Sequence, residues 1–577
     1  MIGPDNKPTQ YSGRRYLLIG LFLTAMLSLV LRDFDLQVLR KDFLQDHGDA
    51  RSLRVVSIPA HRGMILDRNG EPLAISTPVN SIWANPKKVL TASADLKPLA
   101  DLLDMSTDDL NKLLSERIGR EFVYIKRRVA PAFADKVMQL GIPGISLEQE
   151  FRRYYPAGEV TAHVIGFTNI DDNGQEGLEL AYDNYLKGKY GSKRVLKDRL
   201  GRTIENVESI EIPQPGKDLT ISIDRRLQYL AYRELKAAVN AHHAHGGTLV
   251  MLDAKTGEVL AMVGQPSFNP NNRSDLKSNL YRNRAVTDVF EPGSTIKPFT
   301  IAMALQSGIY KPDTKIDTRP GTFTVGGHTI RDTHDYGVID VSTVIEKSSN
   351  VGASKIALSL EPQKLWDVLT KVGFGMTTGS GFPGEASGFL SSPASWSDFE
   401  IATISFGYGV SVTALQLASA YQAIADNGMQ LPVTFLRTEK PAPGKQIFTE
   451  KIARTVRNML KRVVSSEGTA VRAAVDGYQV AGKTGTVHKA IDGGYSETRY
   501  QSLFAGMAPA DNPKLVMVVI IDEPQGSDYY GGLVAAPVFS KVMAGALRLL
   551  NVTPDNLPGD NGTVVADRSM AAGGHDK

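Results

Sequence analysis

The sequence predicts an α+β protein in which a membrane-spanning helix and a mixed α/β domain precede a larger domain built on a five-stranded antiparallel sheet. Three observations support this prediction. Residues 16–31 are apolar and uncharged, residues 51–215 mix helical and strand patterns with many glycines and prolines, and the rest places two apolar strands early and three late. Such strands form one sheet, covered by the helices between them, when the two ends of the domain meet.

The same patterns divide the chain into five segments. The last segment is rich in Gly, Asp and Asn and lacks periodicity, so we expect it to be disordered. The predicted segments are an N-terminal tail (1–15), an anchor (16–36), a mixed α/β domain (37–219), a sheet domain (220–550) and a C-terminal tail (551–577).

The apolar stretch near the N-terminus predicts a single-pass membrane anchor. A bilayer needs about 20 apolar residues, and the apolar character continues past Arg32, whose side chain can reach the interface. The basic residues Lys7, Arg14 and Arg15 place the N-terminus in the cytoplasm and the rest of the chain outside. A cleaved signal peptide is the alternative, but no small-x-small site follows the apolar run, which favours an uncleaved anchor.

Composition excludes several classes of function. The chain has 577 residues and no cysteine, which excludes disulfides, thiol catalysis and cysteine-ligated zinc. Its formal net charge of +3 is too small to indicate a nucleic-acid partner. We predict no metal and no cofactor.

The strands of the sheet domain are predicted from short apolar runs. The first two, at 248–253 and 258–264, flank a turn in which Gly257 supplies a positive φ, as is typical of a hairpin. The three late strands are predicted at 480–487, 502–508 and 514–521.

Residues 288–300 contain the candidate nucleophile. Pro292 and Gly293 interrupt the preceding structure, and the apolar run that follows predicts a buried helix opened by Ser294 and closed by Gly308. Lys297 lies three residues on, which places its amine over the serine hydroxyl on one helix face. A hydroxyl at a helix N-terminus beside an amine indicates a nucleophile and its base.

Two further patterns follow in order, and they make the first one specific. Ser348-Ser349-Asn350 comes next, and Lys483-Thr484-Gly485 lies in the first late strand. The same three patterns also occur in reversed order within residues 255–277, the first of them in the hairpin turn. The prediction therefore rests on the order of the three motifs and on the elements in which they lie, because each short pattern also arises by chance.

The three motifs in this order resemble those of the penicillin-recognising serine enzymes, and residues 220–550 resemble a penicillin-binding transpeptidase domain. Residues 407–416 are similar to a family segment that flanks the site. Two upstream patches, within 62–70 and 153–179, resemble the pedestal domain of class B penicillin-binding proteins. The residues around Ser348-Ser349-Asn350 are similar to those of the division-specific, septal members. The resemblance covers nearly the whole chain, the anchor included.

In the upstream patches, arginines and carboxylates alternate with turn glycines, which predicts structural ion pairs. We likewise expect His163 to be structural, because no nucleophile lies near it in sequence.

The resemblance and the residue chemistry together assign the site. To accept the Ser294 proton, Lys297 must be neutral, which requires its pKa to fall from about 10.4 to near 7. A neighbouring cation would favour this, and we expect Lys483 to remain charged in a more open part of the cleft. By resemblance, Ser348 passes the proton to the leaving amine and Asn350 holds the substrate amide and the Lys297 side chain.

The remaining site residues are expected to bind substrate. Lys483 and Thr484 face the substrate carboxylate, and Gly485 lets an extended peptide lie along the strand edge. The backbone N–H groups of Ser294 and Thr486 form the oxyanion hole.

The predicted function is D-Ala-D-Ala transpeptidation on peptidoglycan stem peptides during septal wall synthesis, with β-lactams acylating the same serine. The resemblance implies a periplasmic catalytic domain on the bacterial inner membrane, with a SEDS-type glycosyltransferase (FtsW) and other division proteins as partners. Alternatives are an elongation-specific transpeptidase, a D,D-carboxypeptidase, a β-lactamase and a non-catalytic β-lactam receptor or division scaffold.

Overall fold

The computed structural model describes residues 12–44, 53–92, 94–197, 203–274, 277–491 and 493–556. The chain forms two compact units. The first contains residues 1–61, 78–151 and 188–215, and the second contains 62–77, 152–187 and 216–577. The parts of the predicted tails at 1–11 and 557–577 lie outside the described residues.

The first unit begins with the apolar helix Ser12–Phe34, which continues as a short π-helical turn, Asp35–Leu39. The stretch Gly13–Leu39 is long and apolar enough to cross a bilayer and none of it is buried in the protein, as a single membrane anchor requires. Helix Gly531–Leu549 of the second unit also meets this test of length and composition, but half of it is buried. Its contacts with the central sheet identify it as a core helix.

The rest of the first unit mixes helices and strands around its own core, which includes Leu99, Leu110 and Leu114. Two strands, Pro72–Ala84 and Ile145–Tyr154, contribute residues to both units. The other elements are the helices Pro86–Thr91, Lys97–Leu103, Thr107–Ser115 and Pro131–Gln139 and the strands Leu53–Ile58, Val123–Val129, Gly191–Lys197 and Thr203–Glu211.

The second unit is organised around a five-stranded antiparallel sheet, as the sequence predicts. We label its strands β1 to β5 in chain order, and they lie in the order β2-β1-β5-β4-β3. Strand β3 is an edge strand, because only β4 pairs with it. The strands are β1 (Gly246–Asp253), β2 (Val259–Gln265), β3 (Ala481–Ile491), β4 (Gly494–Ala508) and β5 (Leu515–Asp522).

Helices cover this sheet. Two of them, α1 and α6, pack side by side against it, while α5, buried along its whole length, packs against β1, β4 and β5. The labelled helices are α1 (Arg225–Ala241), α2 (Lys297–Gln306), α3 (Val341–Glu346), α4 (Asn350–Leu358), α5 (Ala414–Ala425) and α6 (Gly531–Leu549).

Shorter elements complete the second unit. Its remaining α-helices are Ala162–Ile165, Gly177–Ala181, Asp183–Leu186, Ser278–Tyr281, Arg284–Thr287, Pro362–Lys371, Asp398–Ile404 and Glu450–Val464. Its remaining strands are Ile65–Leu66, Leu219–Thr220, Lys315–Asp317, Thr322–Val325, His328–Arg331, Val338–Asp340, Met429–Gln430 and Lys445–Gln446.

The turn between β1 and β2 forms as predicted, with Gly257 at φ +74°. The predicted disordered tail, in contrast, does not begin at residue 551. The carbonyl of Val552 accepts a hydrogen bond from the Tyr478 hydroxyl at 2.6 Å, and Asn556 pairs with Gly477. These contacts order residues 551–556, which composition alone assigned to the tail.

The upstream arginines form buried ion pairs, as the sequence predicts. Glu179 is fully buried and receives Arg62 at 2.7 Å and Arg153 at 2.6 Å, and Arg62 also reaches Asp183 at 2.7 Å. His163 is structural as well, because its Nε2 lies 2.8 Å from the Leu280 carbonyl and burial lowers its pKa to about 4. These residues hold the second unit together and leave its chemistry to other groups.

Replacing Glu179 with alanine should strongly destabilise the second unit, because it leaves two buried guanidinium groups without their shared carboxylate. We expect a loss of about 3–5 kcal/mol in the free energy of unfolding. Thermal unfolding of the full chain in detergent measures this loss. Glu450→Ala is the control, because it removes a carboxylate from an exposed pair with Arg454 and should change little. If both variants lowered the free energy of unfolding equally, the buried ion pairs of Glu179 would not have the stabilising role given to them here.

Candidate active site

Ser294 lies in a tight turn between the sheet edge and a loop. The turn Gly293–Ile296 is a 3₁₀-helix, and the α-helix itself begins at Lys297 and ends at Gln306. The prediction that Ser294 opens the α-helix is therefore off by one turn. Pro298 explains the position, since proline lacks an N–H and is favoured at the first helical residues.

Two close approaches fix this turn. The N–H of Gly293 donates to the carbonyl of Gly407 at 3.1 Å, and a side chain at Gly293 would place its Cβ 2.5 Å from Val487 on β3. Gly293 also has φ +51°, which glycine adopts without strain. The nucleophile's turn is thus held between β3 and the loop at Gly407.

Lys297 is completely buried and reaches the second motif. Its Nζ donates to the Ser348 carbonyl at 2.5 Å and to Asn350 Oδ1 at 2.8 Å, and lies 3.3 Å from Ser348 Oγ. A neutral amine has two N–H donors and one lone pair. The two shorter contacts use both donors, which leaves the lone pair available to accept a proton from a hydroxyl.

Lys483 reaches the same serine from β3. Its Nζ donates to Ser348 Oγ at 3.0 Å, and the carbonyl and hydroxyl of Thr484 lie at 3.2 and 3.3 Å. Lys483 is as fully buried as Lys297. The expectation that it lies in a more open part of the cleft is wrong, because β3 runs inside the domain at this point and only later residues of the strand are exposed.

Both amines have lowered pKa values. Burial, followed by the neighbouring Lys483, holds the pKa of Lys297 well below its ordinary range, and Asp332 opposes the shift. Burial lowers the pKa of Lys483 to about 7. The pKa of Lys297 is therefore shifted in the direction that a base for Ser294 requires.

Ser348 has an unusual backbone conformation. It follows helix α3 with φ +61°, and its N–H donates to Ile345 at 3.2 Å while Ser349 N–H donates to Val344 at 3.0 Å. These bonds form a Schellman motif, in which the position of Ser348 is usually occupied by glycine. The strained position places the Ser348 carbonyl and hydroxyl against the two lysines.

Asp332 fixes the start of helix α4, although no sequence pattern points to it. Its carboxylate accepts hydrogen bonds from the Ser349 hydroxyl at 2.5 Å and from the N–H groups of Asn350 and Val351 at 2.5 and 3.0 Å. It therefore caps the helix from a distant segment and orients Asn350. No motif surrounds Asp332, so only the fold reveals this contact.

Gly485 allows β3 to approach the nucleophile's turn. A Cβ at this position would lie 3.1 Å from the Thr295 side chain and 3.2 Å from the Pro292 carbonyl. Tight packing within the protein is thus one reason for glycine here, and room for a substrate peptide along the strand edge stays a prediction.

Thr484 and Thr486 lie on the other face of β3. The Thr484 hydroxyl is 2.9 Å from the Thr469 hydroxyl, and the Thr486 hydroxyl accepts a hydrogen bond from Gly531 N–H at 3.0 Å. The two predicted oxyanion donors lie in elements whose backbone N–H groups can lack an internal hydrogen-bond partner. Ser294 N–H is in the first turn of a helix, and Thr486 belongs to an edge strand.

The structure thus brings Lys297, Ser348, Asn350 and Lys483 into direct contact, one turn from Ser294. Comparison with known proteins then identifies the family. The chain matches the penicillin binding protein transpeptidase domain over residues 247–544 and the penicillin-binding protein dimerisation domain over 57–221. The peptidoglycan D,D-transpeptidase FtsI of Escherichia coli K12 is 44% identical over 569 residues, covering 98% of this chain and 96% of that protein. The chain belongs to the class B penicillin-binding proteins.

Other relatives extend this result. FtsI of Buchnera aphidicola from Schizaphis graminum is 39% identical over 535 residues, covering 92% of this penicillin-binding protein and 94% of its own length. The apo transpeptidase domain of Burkholderia pseudomallei penicillin-binding protein 3 is 44% identical with a TM-score of 0.54, covering 58% of this chain and 98% of that one.

Glycine at position 348 should give a more stable penicillin-binding protein than alanine. Both changes remove the hydroxyl, but only glycine accepts the positive φ without strain, so we expect a difference of about 1 kcal/mol. Thermal unfolding of Ser348→Gly and Ser348→Ala measures it. The control is Ser354, inside helix α4, where the alanine variant should be more stable than the glycine variant. If Ser348→Ala were more stable than Ser348→Gly, the backbone at this position would not be strained.

Lys483 should make stability depend on pH. Its folded pKa is about 7 and its unfolded pKa about 10.4, so between these values only the unfolded state keeps the proton. Its contribution therefore raises stability as pH increases from 7 to 10, by up to about 1.4 kcal/mol per pH unit.

Unfolding at several pH values tests this effect. In Lys483→Met, the free energy of unfolding should rise less between pH 7 and 10 than in the wild type. Lys371→Met, which changes an exposed lysine, should keep the wild-type rise. Parallel stability curves for wild type and Lys483→Met would show that the folded and unfolded pKa values are equal.

Proposed function

We propose that this protein cross-links peptidoglycan stem peptides through an acyl-enzyme on Ser294, during septal wall synthesis. Its family makes it a serine D,D-transpeptidase. The catalytic roles of these residues are assigned mainly from one contact. The Ser348 hydroxyl lies 3.3 Å from Lys297 Nζ and 3.0 Å from Lys483 Nζ. Two buried amines on one hydroxyl, beside a serine at a helix start, form a path for a proton.

The first step is acylation. Neutral Lys297 takes the proton of Ser294 as its oxygen attacks the D-Ala-D-Ala carbonyl, and the N–H groups of Ser294 and Thr486 stabilise the oxyanion. In comparable sites one such donor contributes about 3–4 kcal/mol. The proton passes through Ser348 to the leaving D-alanine amine, so the amide bond breaks with a neutral leaving group. Lys483 and the hydroxyl groups of Thr484 and Thr486 bind the terminal carboxylate.

The second step reverses the proton path. An amine of a second stem peptide attacks the acyl-enzyme, gives up its proton through Ser348 and Lys297, and forms the cross-link as Ser294 is released. Asn350 holds the donor amide during both steps while its Oδ1 fixes Lys297. A β-lactam enters the first step in place of the peptide and stays attached to Ser294.

The anchor sets the location. We place the catalytic unit in the periplasm, joined to the inner membrane by the helix that begins at Ser12. The similarity to FtsI supports a SEDS-type glycosyltransferase (FtsW) and other division proteins as partners.

Intact mass after treatment with a penicillin tests the nucleophile. We expect one adduct per chain, mapped to Ser294 by peptide analysis and absent from Ser294→Ala. Ser267→Ala, which changes a serine of the reversed motif set, is the matched control and should keep the adduct. An adduct elsewhere would refute the assignment, and rapid turnover of the penicillin would indicate a β-lactamase.

A further inference from the structure

Lys347, the residue before Ser348, connects the second motif to a loop beside strand β3. Its Nζ donates a hydrogen bond to the backbone carbonyl of Glu467 at 2.7 Å. Glu467 belongs to the loop 465–470, which follows helix Glu450–Val464. The proton path through Ser348 does not use this bond, so the connection between the two segments calls for a reason of its own.

The loop 465–470 is tightly folded, so its two ends move together. The N–H of Ala470 donates to the carbonyl of Val463 at 2.9 Å, which folds the loop back onto the end of the preceding helix. A side chain at Gly468 would place its Cβ 2.1 Å from the same carbonyl. A displacement at the start of this loop would therefore move Thr469 as well.

Thr469 is the residue of the loop that reaches the third motif. Its hydroxyl lies 2.9 Å from the hydroxyl of Thr484. A hydroxyl has one proton to donate, and hydrogen-bonded hydroxyls align in one direction. When Thr469 donates to Thr484, the proton of Thr484 is left to point at another acceptor. Thr469 thus sets the direction of the Thr484 O–H bond, which the proposed function uses to bind the terminal carboxylate.

Three hydrogen bonds of this region and the short stretches of chain between them form a closed ring. The three bonds, each 2.7 to 3.0 Å long, join Lys347 to Glu467, Thr469 to Thr484 and Lys483 to Ser348. Two of them involve hydroxyls that exchange partners during the reaction, because Ser348 passes a proton and Thr484 binds substrate. The bond of Lys347 to a backbone carbonyl can persist throughout, and it holds the ring closed when the others rearrange.

Neighbouring charges hold the Lys347 side chain in place. The carboxylate of Glu346 is buried, pairs with Arg462 of the helix before the loop, and lies 3.5 Å from Lys347 Nζ. Water and salt screen a buried carboxylate less than an exposed one, so these contacts are stronger than those of a surface pair. The ammonium group is therefore held in position before a substrate binds.

We propose that Lys347 is a positioning residue for the terminal carboxylate of the donor. By closing the ring it keeps Thr469 against Thr484 and directs the Thr484 hydroxyl at the carboxylate. It thereby sets how strongly the enzyme prefers donors that end in a carboxylate. This inference rests on the proposed function, in which Thr484 binds that group.

Two thioester donors with the same acyl group test this role. One has thioglycolate as its leaving group and ends in a carboxylate, and the other has thioglycolamide, so both leave the same acyl group on Ser294. Acylation of the full-length protein in detergent is quenched at short times and measured by mass. We expect Lys347→Met to lower the ratio of the carboxylate rate to the amide rate about tenfold relative to the wild type. One hydrogen bond to a charged group has an effect of this size.

Two further variants separate positioning from a general loss of charge. Lys126→Met removes an ammonium group that donates to a backbone carbonyl of the first unit, that of Leu103 at 3.1 Å, and should keep the wild-type ratio. Thr469→Val opens the ring at a different bond and should lower the ratio as Lys347→Met does. The double variant should lower it no further, because both residues act through one hydroxyl.

Several outcomes would overturn the inference while the acyl-enzyme on Ser294 stands. They are a wild-type ratio in Lys347→Met, equal losses of rate for both donors in that variant, and additive losses in the double variant. Equal losses would indicate general damage to the fold. Failure of both donors to acylate the wild type would overturn the proposed function as well.

Discussion

The meeting of two buried lysines on one serine hydroxyl is the constraint on which the rest of the second unit depends. Lys297 comes from α2, Lys483 from β3, and Ser348 from the loop between α3 and α4. Burial lowers the pKa of both amines, and the neighbouring Lys483 lowers that of Lys297 further, so the position of Lys483 helps to keep Lys297 neutral. A shift of any of the three elements would release that constraint. Gly293 and Gly485 keep the edge strand close to the nucleophile's turn, since a Cβ at Gly293 would clash with Val487 and one at Gly485 would be tightly packed against Thr295.

Several unfavourable features therefore lie close together. Ser348 has a left-handed backbone conformation, and the amines of Lys297 and Lys483 are fully buried. Each lowers stability by itself, and such features persist where the surrounding structure holds them for function. The contrast with Glu179 supports this interpretation. The Glu179 carboxylate is as fully buried as the two lysines but is paired with two arginines, and its network stabilises the fold without performing chemistry.

Much of the sheet and the core of the site could be predicted from the sequence, because both are recorded in local patterns. The five strands were predictable from apolar periodicity and chain order, and Ser294, Lys297 and Lys483 were identified from three short motifs. The rest depends on contacts between distant segments. Asp332 caps a helix that begins 18 residues later, Gly485 is required by packing against Thr295, and Lys483 is buried by a path of β3 that composition does not reveal. Ser348 shows the limit most clearly, since its sequence position gives no sign of a positive φ.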